Sequence, residues 1–280
     1  MTNHNEFVGR RVFIFGGTSG INLGIAEGFA RHGALVGVAS RSQEKVDAAV
    51  QKLSTATGCE ALGYVTDVRQ YQAVSDALTA FSNHHGGIDV LVSGAAGNFP
   101  ALAEKLSANG FKAVVDIDLI GTFHVMRGAY PHLTKPGASV INISAPQAFI
   151  PMRMQVHACA AKAGVDMVTR VLALEWGPVG IRVNSIVPGP IDGTEGMARL
   201  TPDEESRRAV IRSVPLQRLG TVADIAEVCL FLASDAARYV SGVVLPVDGG
   251  WSAAGAPIGG KAVPPAYAEA APAPTTREGE

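Results

Sequence analysis

The stretch Arg11-Val12-Phe13-Ile14-Phe15-Gly16-Gly17-Thr18-Ser19-Gly20-Ile21-Asn22-Leu23-Gly24 narrows what this chain can fold into more than any other. A short apolar run feeds a glycine turn, and the turn opens directly into a helical pattern. Such glycines admit backbone angles that a Cβ forbids. Main-chain N–H groups can then face an anion while the helix start adds the positive end of its dipole. Glycines near a helix start also make plain structural turns. The strand before and the helix after favour a cradle for the pyrophosphate of a dinucleotide, with Gly16, Gly17, Thr18, Ser19, Gly20 and Ile21 as its contacts.

The alternation continues down the chain. Apolar runs at 12–15, 34–39, 61–66, 90–93, 139–143, 182–187 and 243–247 are separated by longer helical patterns. Strands alternating with helices predict an α/β fold, here a single doubly wound Rossmann domain with a seven-stranded parallel sheet. Val12-Phe13-Ile14-Phe15 and Val140-Ile141-Asn142-Ile143 have the near-continuous apolar character of strands covered on both faces. Residues 1–251 make up the expected cofactor-binding catalytic domain. From Ser252 the composition turns to Ala, Pro, Gly and charge, which predicts a disordered tail over 252–280.

Charge and cysteine usage exclude several function classes. A net charge of −2 offers no basic surface to nucleic acid or an anionic membrane. No stretch approaches the ~20 apolar residues of a membrane span, and the polar N-terminus lacks an export core. Cys59, Cys159 and Cys229 are dispersed, and neither they nor the seven histidines show metal-ligand spacing, so no metal is expected. Scattered thiols predict a reducing compartment, and the expectation is a cytoplasmic protein.

The second strand ends at Val38-Ala39-Ser40-Arg41-Ser42. A cofactor with a free ribose 2′-hydroxyl favours a carboxylate there. Ser40 stands in that place and Arg41 follows, a planar donor suited to a 2′-phosphate, so NADPH is expected rather than NADH. The other reading of Arg41 is a solvated surface arginine. Asp67, closing the third strand, either accepts from the adenine amine or caps the next helix.

Together with the glycine turn, Asp67-Val68, Ser93-Gly94-Ala95-Ala96-Gly97, Pro188-Gly189-Pro190-Ile191-Asp192-Gly193-Thr194 and Val247-Asp248-Gly249-Gly250 give the chain its resemblance to the short-chain dehydrogenases/reductases, over approximately residues 7–252. The resemblance adds Pro188, Ile191 and Thr194 to the cofactor contacts. Two positions of the glycine motif depart from the family: Phe15 and Asn22 stand where Thr and Gly are usual, and Asn22 is expected to donate to phosphate.

The reaction centre departs further. The family's Asn, Ser, Tyr and Lys become Asp118, Ala145, Ala158 and Lys162, and no tyrosine lies between Tyr130 and Tyr239. Gln155 occupies the place where related enoyl-thioester reductases, with a longer spacing to Lys, carry Tyr. An aspartate and a lysine without the phenol resemble the peroxisomal-type 2,4-dienoyl-CoA reductases. The phrases Ala95-Ala96-Gly97-Asn98-Phe99, Asp116-Ile117-Asp118, Gln155-Val156-His157-Ala158, Glu175-Trp176-Gly177-Pro178 and Gly193-Thr194-Glu195-Gly196 strengthen that likeness.

The chemistry explains how a phenol can be lost. Reducing a ketone leaves a localised alkoxide that must be protonated at once. Hydride addition to the far carbon of a conjugated dienoyl thioester spreads the charge to the thioester oxygen as a dienolate, which needs hydrogen bonds first and a proton, at carbon, later. The resemblance implies that Lys162 bonds the nicotinamide ribose and that Asp118 orients a water, or Lys162, for that proton. Asp118 also reads as a helix carboxylate paired with a neighbouring cation.

The likeness further implies an acyl-CoA substrate contacted by Arg69, Arg199 and Phe99, each of which equally reads as an ordinary surface residue. It implies a substrate lid over 195–213 and a homotetramer built through the helices 158–176 and Val222–Ala233. His157 and Cys159, two apart on a helix, point to different faces and make no nucleophile pair. Two other functions stay open: a ketone or alcohol oxidoreductase on a substrate without CoA, and a catalytically silent NADPH-binding protein.

Overall fold

β1 (Arg11–Phe15) lies inside a seven-stranded sheet whose remaining strands are β2 (Leu35–Ser40), β3 (Leu62–Val65), β4 (Val90–Ser93), β5 (Ser139–Ile143), β6 (Arg182–Pro188) and β7 (Val244–Val247). The computed structural model describes residues 6–57 and 60–253. Every pairing is parallel, in the order β3-β2-β1-β4-β5-β6-β7. The expected fold is present, and five of the seven strand ranges that sequence gives shift at an end, because pairing with a neighbour, not apolarity, sets where a ladder stops. Ser40, for example, is polar yet pairs with Val65.

Parallel strands need crossovers, and helices supply them on both faces. These are α1 (Gly20–Arg31), α2 (Gln43–Thr57), α3 (Tyr71–His85), α4 (Ala108–Val115), α5 (Gly121–Ala129), α6 (Val156–Trp176), α7 (Glu195–Leu200), α8 (Glu204–Ser213) and α9 (Val222–Ala233). β1 shows how one strand serves two cores: Val12 and Ile14 pack with Ile25, Phe29 and Ile225, while Phe13 and Phe15 pack with Leu78, Phe81 and Met126. Each such side chain, fully buried, contributes roughly 1.5–3 kcal/mol.

Two features position the site. At the N-terminal end of the sheet Arg11 grips Asp89 through Nε and Nη2 at 2.8 and 2.6 Å, fixing β1 against β4. Between α4 and α5 the residues Asp116–Ile120 form a π-turn, so one continuous helical rod carries an extra residue in a single turn. Asp118 sits in that turn, and Thr122 Oγ1 donates to its carbonyl at 2.6 Å. The expected disordered tail falls outside the described residues from 254 onward, whereas Ser252 and Ala253 belong to a 3₁₀ turn, Trp251–Ala253.

Candidate active site

Where neighbouring crossovers leave a parallel sheet in opposite directions, the strand ends part and open a crevice. Here that happens between β1 and β4. Gly16, at φ 76°, ends β1 so close to the β4 loop that a Cβ would lie 3.0 Å from the Ala95 nitrogen. Asn22 Nδ2 donates to the Gly94 carbonyl at 2.8 Å, tying α1 to that loop. Asn22 was expected to donate to phosphate; one of its two amide hydrogens is spent on the backbone across the crevice.

From this point a cleft of about 340 Å³ runs along the strand ends past Thr18, Ser19, Arg41, Lys45 and Asp67. Arg41 and Lys45 enter no ion pair with a described residue. Two uncommitted cations beside a glycine cradle suit a dinucleotide with an extra phosphate. Asp67 does not cap α3, whose cap position is Gln70. It takes Arg69 Nη2 at 2.5 Å, and this bond holds its carboxyl below the usual range. Asp67 and Arg69, expected to meet different ligands, therefore meet each other.

A second cleft, about 460 Å³, adjoins the first past Ile21 and Thr194, and Pro188 and Ile191 also line it. Beside it the reaction-centre residues converge. Lys162 Nζ donates to the Ile143 carbonyl at 3.0 Å and lies 3.5 Å from Asp118 Oδ2. Asp118 Oδ1 accepts from the Gly97 nitrogen at 2.8 Å, so the β4 loop, the π-turn and α6 are joined at one carboxylate. Ala158 and Ala145, at the positions of the family's phenol and hydroxyl, leave no side-chain donor there.

Behind Lys162, one turn along α6, Asp166 is 3% exposed. Burial pushes its carboxyl up, and the hydroxyls of Ser144 and Ser185 and the charges of Arg170 and Lys162 temper the rise. Ser185 in turn joins Thr169 at 2.7 Å, and Asn142 Nδ2 donates to Thr169 at 2.8 Å. Sequence reasoning missed this buried polar layer; the signal was Asp166 four residues after Lys162, on the same helix face.

At the mouth of the second cleft three amides from distant segments meet. Gln155 Oε1 accepts from Asn98 Nδ2 and from Gln147 Nε2, each at 2.9 Å. His157 is fully buried, its ring 4.7 Å from that of Phe99, and neither ring nitrogen has a partner among the described residues. Cys159 is half-buried, and the two residues form no pair.

Phe99 thus walls the β4 loop against α6 and is not among the residues lining the second cleft. Arg199 is exposed on α7 and bonds Glu195 one turn before it. The expected lid resolves into α7 and α8, fastened to the β6 loop by Arg207, whose Nη1 and Nη2 meet the Asp192 carboxylate at 2.9 and 2.7 Å.

A family model described as enoyl-(acyl carrier protein) reductase matches residues 16–252. The chain is 48% identical over 239 residues, covering 85% of it and 82% of the relative, to the peroxisomal 2,4-dienoyl-CoA reductase [(3E)-enoyl-CoA-producing] of Rattus norvegicus. It is 43% identical over 252 residues to the protein of the same name from Arabidopsis thaliana, covering 86% and 84%. A crystal structure of a short chain dehydrogenase from Bacillus anthracis superposes with a TM-score of 0.80 at 37% identity, covering 88% of this chain and 98% of that one.

Proposed function

From its place in the short-chain dehydrogenase/reductase family of oxidoreductases, to which the chain belongs, we propose that it reduces conjugated 2,4-dienoyl-CoA thioesters with NADPH. The observation that carries this reading is the buried Lys162–Asp118 pair in a centre stripped of phenol and hydroxyl. A site without a strong acid suits a substrate whose charge delocalises before it is protonated. The names of the relatives from rat and Arabidopsis support the same substrate class.

NADPH fits the cleft residues: Gly16 through Ile21 would hold the pyrophosphate, Arg41 with Lys45 the 2′-phosphate, and Lys162 the nicotinamide ribose. Asp67, Pro188, Ile191 and Thr194 complete that set. When bound, the cofactor supplies a hydride, two electrons and one hydrogen, to the far carbon of the diene. Lys162 then holds positive charge beside the developing dienolate. Asp118 orients a water that delivers the proton to the carbon next to the thioester, which yields a 3-enoyl product, as the (3E) in the relatives' name describes for them. Hydride and proton together remove one double bond.

Arg69 and Arg199 meet the phosphates of the CoA portion by exchanging Asp67 and Glu195 for the ligand, and Phe99 flanks the acyl chain. Lid helices α7 and α8 exclude water from the reacting carbon. Exposed Met167, Val171 and Leu174 on α6 and Phe231 on α9 form the apolar faces of a homotetramer. Free thiols at Cys159 and Cys229 fit the cytoplasm.

The test is a panel of 2,4-dienoyl-CoA, enoyl-CoA, 3-ketoacyl-CoA and simple ketones, each with NADPH and with NADH, followed by loss of reduced-nicotinamide absorbance. Consumption with the dienoyl-CoA and NADPH is the expected result. Consumption only with ketones, or none with any substrate, would overturn the reading.

A further inference from the structure

Negative charge that gathers on a thioester oxygen must meet a donor in a preorganised place. Six side chains of the second cleft carry polar hydrogens: Ser144, Gln147, Gln155, Thr194, Ser213 and Trp251. Thr194 Oγ1 donates to the Ile191 carbonyl at 2.8 Å, Ser213 Oγ to the Val210 carbonyl at 2.6 Å, and Trp251 Nε1 to Ser213 Oγ at 3.2 Å. Ser144 Oγ has no hydrogen-bond partner among the described residues, but it is buried, on the side of Asp166. Gln147 Nε2 spends one of its two hydrogens on Gln155.

Of these side chains, Gln155 is the one whose whole –NH₂ group is uncommitted among the described residues. Its Oε1 already accepts two bonds, one from Asn98 and one from Gln147, which matches the two lone pairs of an amide oxygen. Those two donors settle which way round the amide lies and turn Nε2 away from them. Gln155 occupies the N-cap position of α6 but makes no side-chain capping bond, so helix formation does not consume the amide either.

We propose that Gln155 is a catalytic residue whose Nε2 donates to the thioester oxygen of the substrate and binds it more tightly as the dienolate forms. This rests on the dienoyl-CoA reading above and adds to it the donor that Ala158 and Ala145 lack. Asn98 and Gln147 are positioning residues that hold the amide with its nitrogen toward the cleft.

The experiment compares wild type with Gln155→Leu, Gln155→Glu and Gln147→Ala, using a trans,trans-2,4-dienoyl-CoA. NADPH affinity, read by nicotinamide fluorescence, serves as the check on folding. Gln155→Leu is expected to keep that affinity and lose on the order of 10²-fold in kcat. Without NADPH, the ultraviolet band of the bound dienoyl group shifts to the red in wild type, because a donor polarises its carbonyl, and that shift disappears in Gln155→Leu. Gln155→Glu, nearly isosteric, is at least as impaired at neutral pH and recovers as pH falls toward the ordinary glutamate pKa of about 4.3. Gln147→Ala gives an intermediate loss.

Wild-type kcat and red shift in Gln155→Leu, or full activity of Gln155→Glu at neutral pH, would overturn the proposal. The second result would mean that the amide presents oxygen to the cleft. Should wild type itself fail to reduce the dienoyl-CoA, the proposed function falls, and the red shift still reports whether Gln155 polarises an acyl carbonyl.

Discussion

Lys162 Nζ lies 3.5 Å from Asp118 Oδ2, with the two side chains only 10% and 2% exposed. Neither charge is solvated, and each is compensated by the other and by one backbone group, the Ile143 carbonyl for the lysine and the Gly97 nitrogen for the aspartate. Removing one partner of such a pair exposes the other to an uncompensated interior.

Replacing Asp118 with Ala is expected to leave NADPH affinity nearly intact and to lower kcat by about 10²–10⁴-fold, the range of a lost proton-transfer partner. Lys162→Ala should lower both. Fluorescence titration with NADPH beside steady-state turnover separates the two; normal turnover in Asp118→Ala removes that carboxylate from the mechanism.

In the proposed function, cofactor choice rests on Arg41. A hydrogen bond to a charged group is worth about 1.5–3 kcal/mol, so Arg41→Ala should weaken NADPH binding by roughly 10–100-fold and hardly change NADH binding. Equal effects on the two cofactors would assign Arg41 to the solvated surface.

Two buried carboxylates predict opposite trends of stability with pH. Asp89 loses solvation on burial, but the bonds from Arg11 and Thr134 overcome that and bring its pKa down to about 2 from 3.8. Its contribution is present above 3.8 and is lost as pH falls through about 2. Asp166 is raised instead, so the native state holds its proton more tightly than the unfolded chain and stability declines as pH rises above 3.8. Melting curves of Asp166→Asn should therefore gain on wild type as pH rises from about 4 to neutrality, while Asp89→Asn loses stability there and flattens the acid limb.

A Cβ on Gly94 would overlap the Asn22 side chain. Gly94→Ala should displace that amide, break its bond to the β4 loop, and cost about 1–3 kcal/mol, the usual range for overpacking. Thermal denaturation with and without NADPH checks this, and affinity for the cofactor should fall with stability.

Much of the fold was legible because the strands that build it are covered on both faces and so read as unbroken apolar runs, β4 and β5 to the residue. The glycine turn was legible for a different reason, since few other sequences allow the backbone approach seen at Gly16. What stayed hidden depends on contacts between remote segments. The Asn98–Gln155 bond joins residues 57 positions apart. Asn22 could be recognised as an amide near phosphate, but not as the partner of Gly94, 72 residues away. Arg69 folding back on Asp67 is local, yet two residues each suited to a ligand gave no hint that they would first satisfy each other.

The π-turn at Asp116–Ile120 frees the two ends of one long helix from a common phase. In an uninterrupted α-helix each residue advances about 100°, so the face that Val114 buries would dictate the face available to Val125 and Met126 further along the same rod. One surplus residue resets that count, much as a slipped thread lets two halves of a screw be aligned separately. The half after the turn can thus be tuned for packing on α3 and the half before it for packing on α6, while the carboxylate at the slip stays aimed where neither half would have put it.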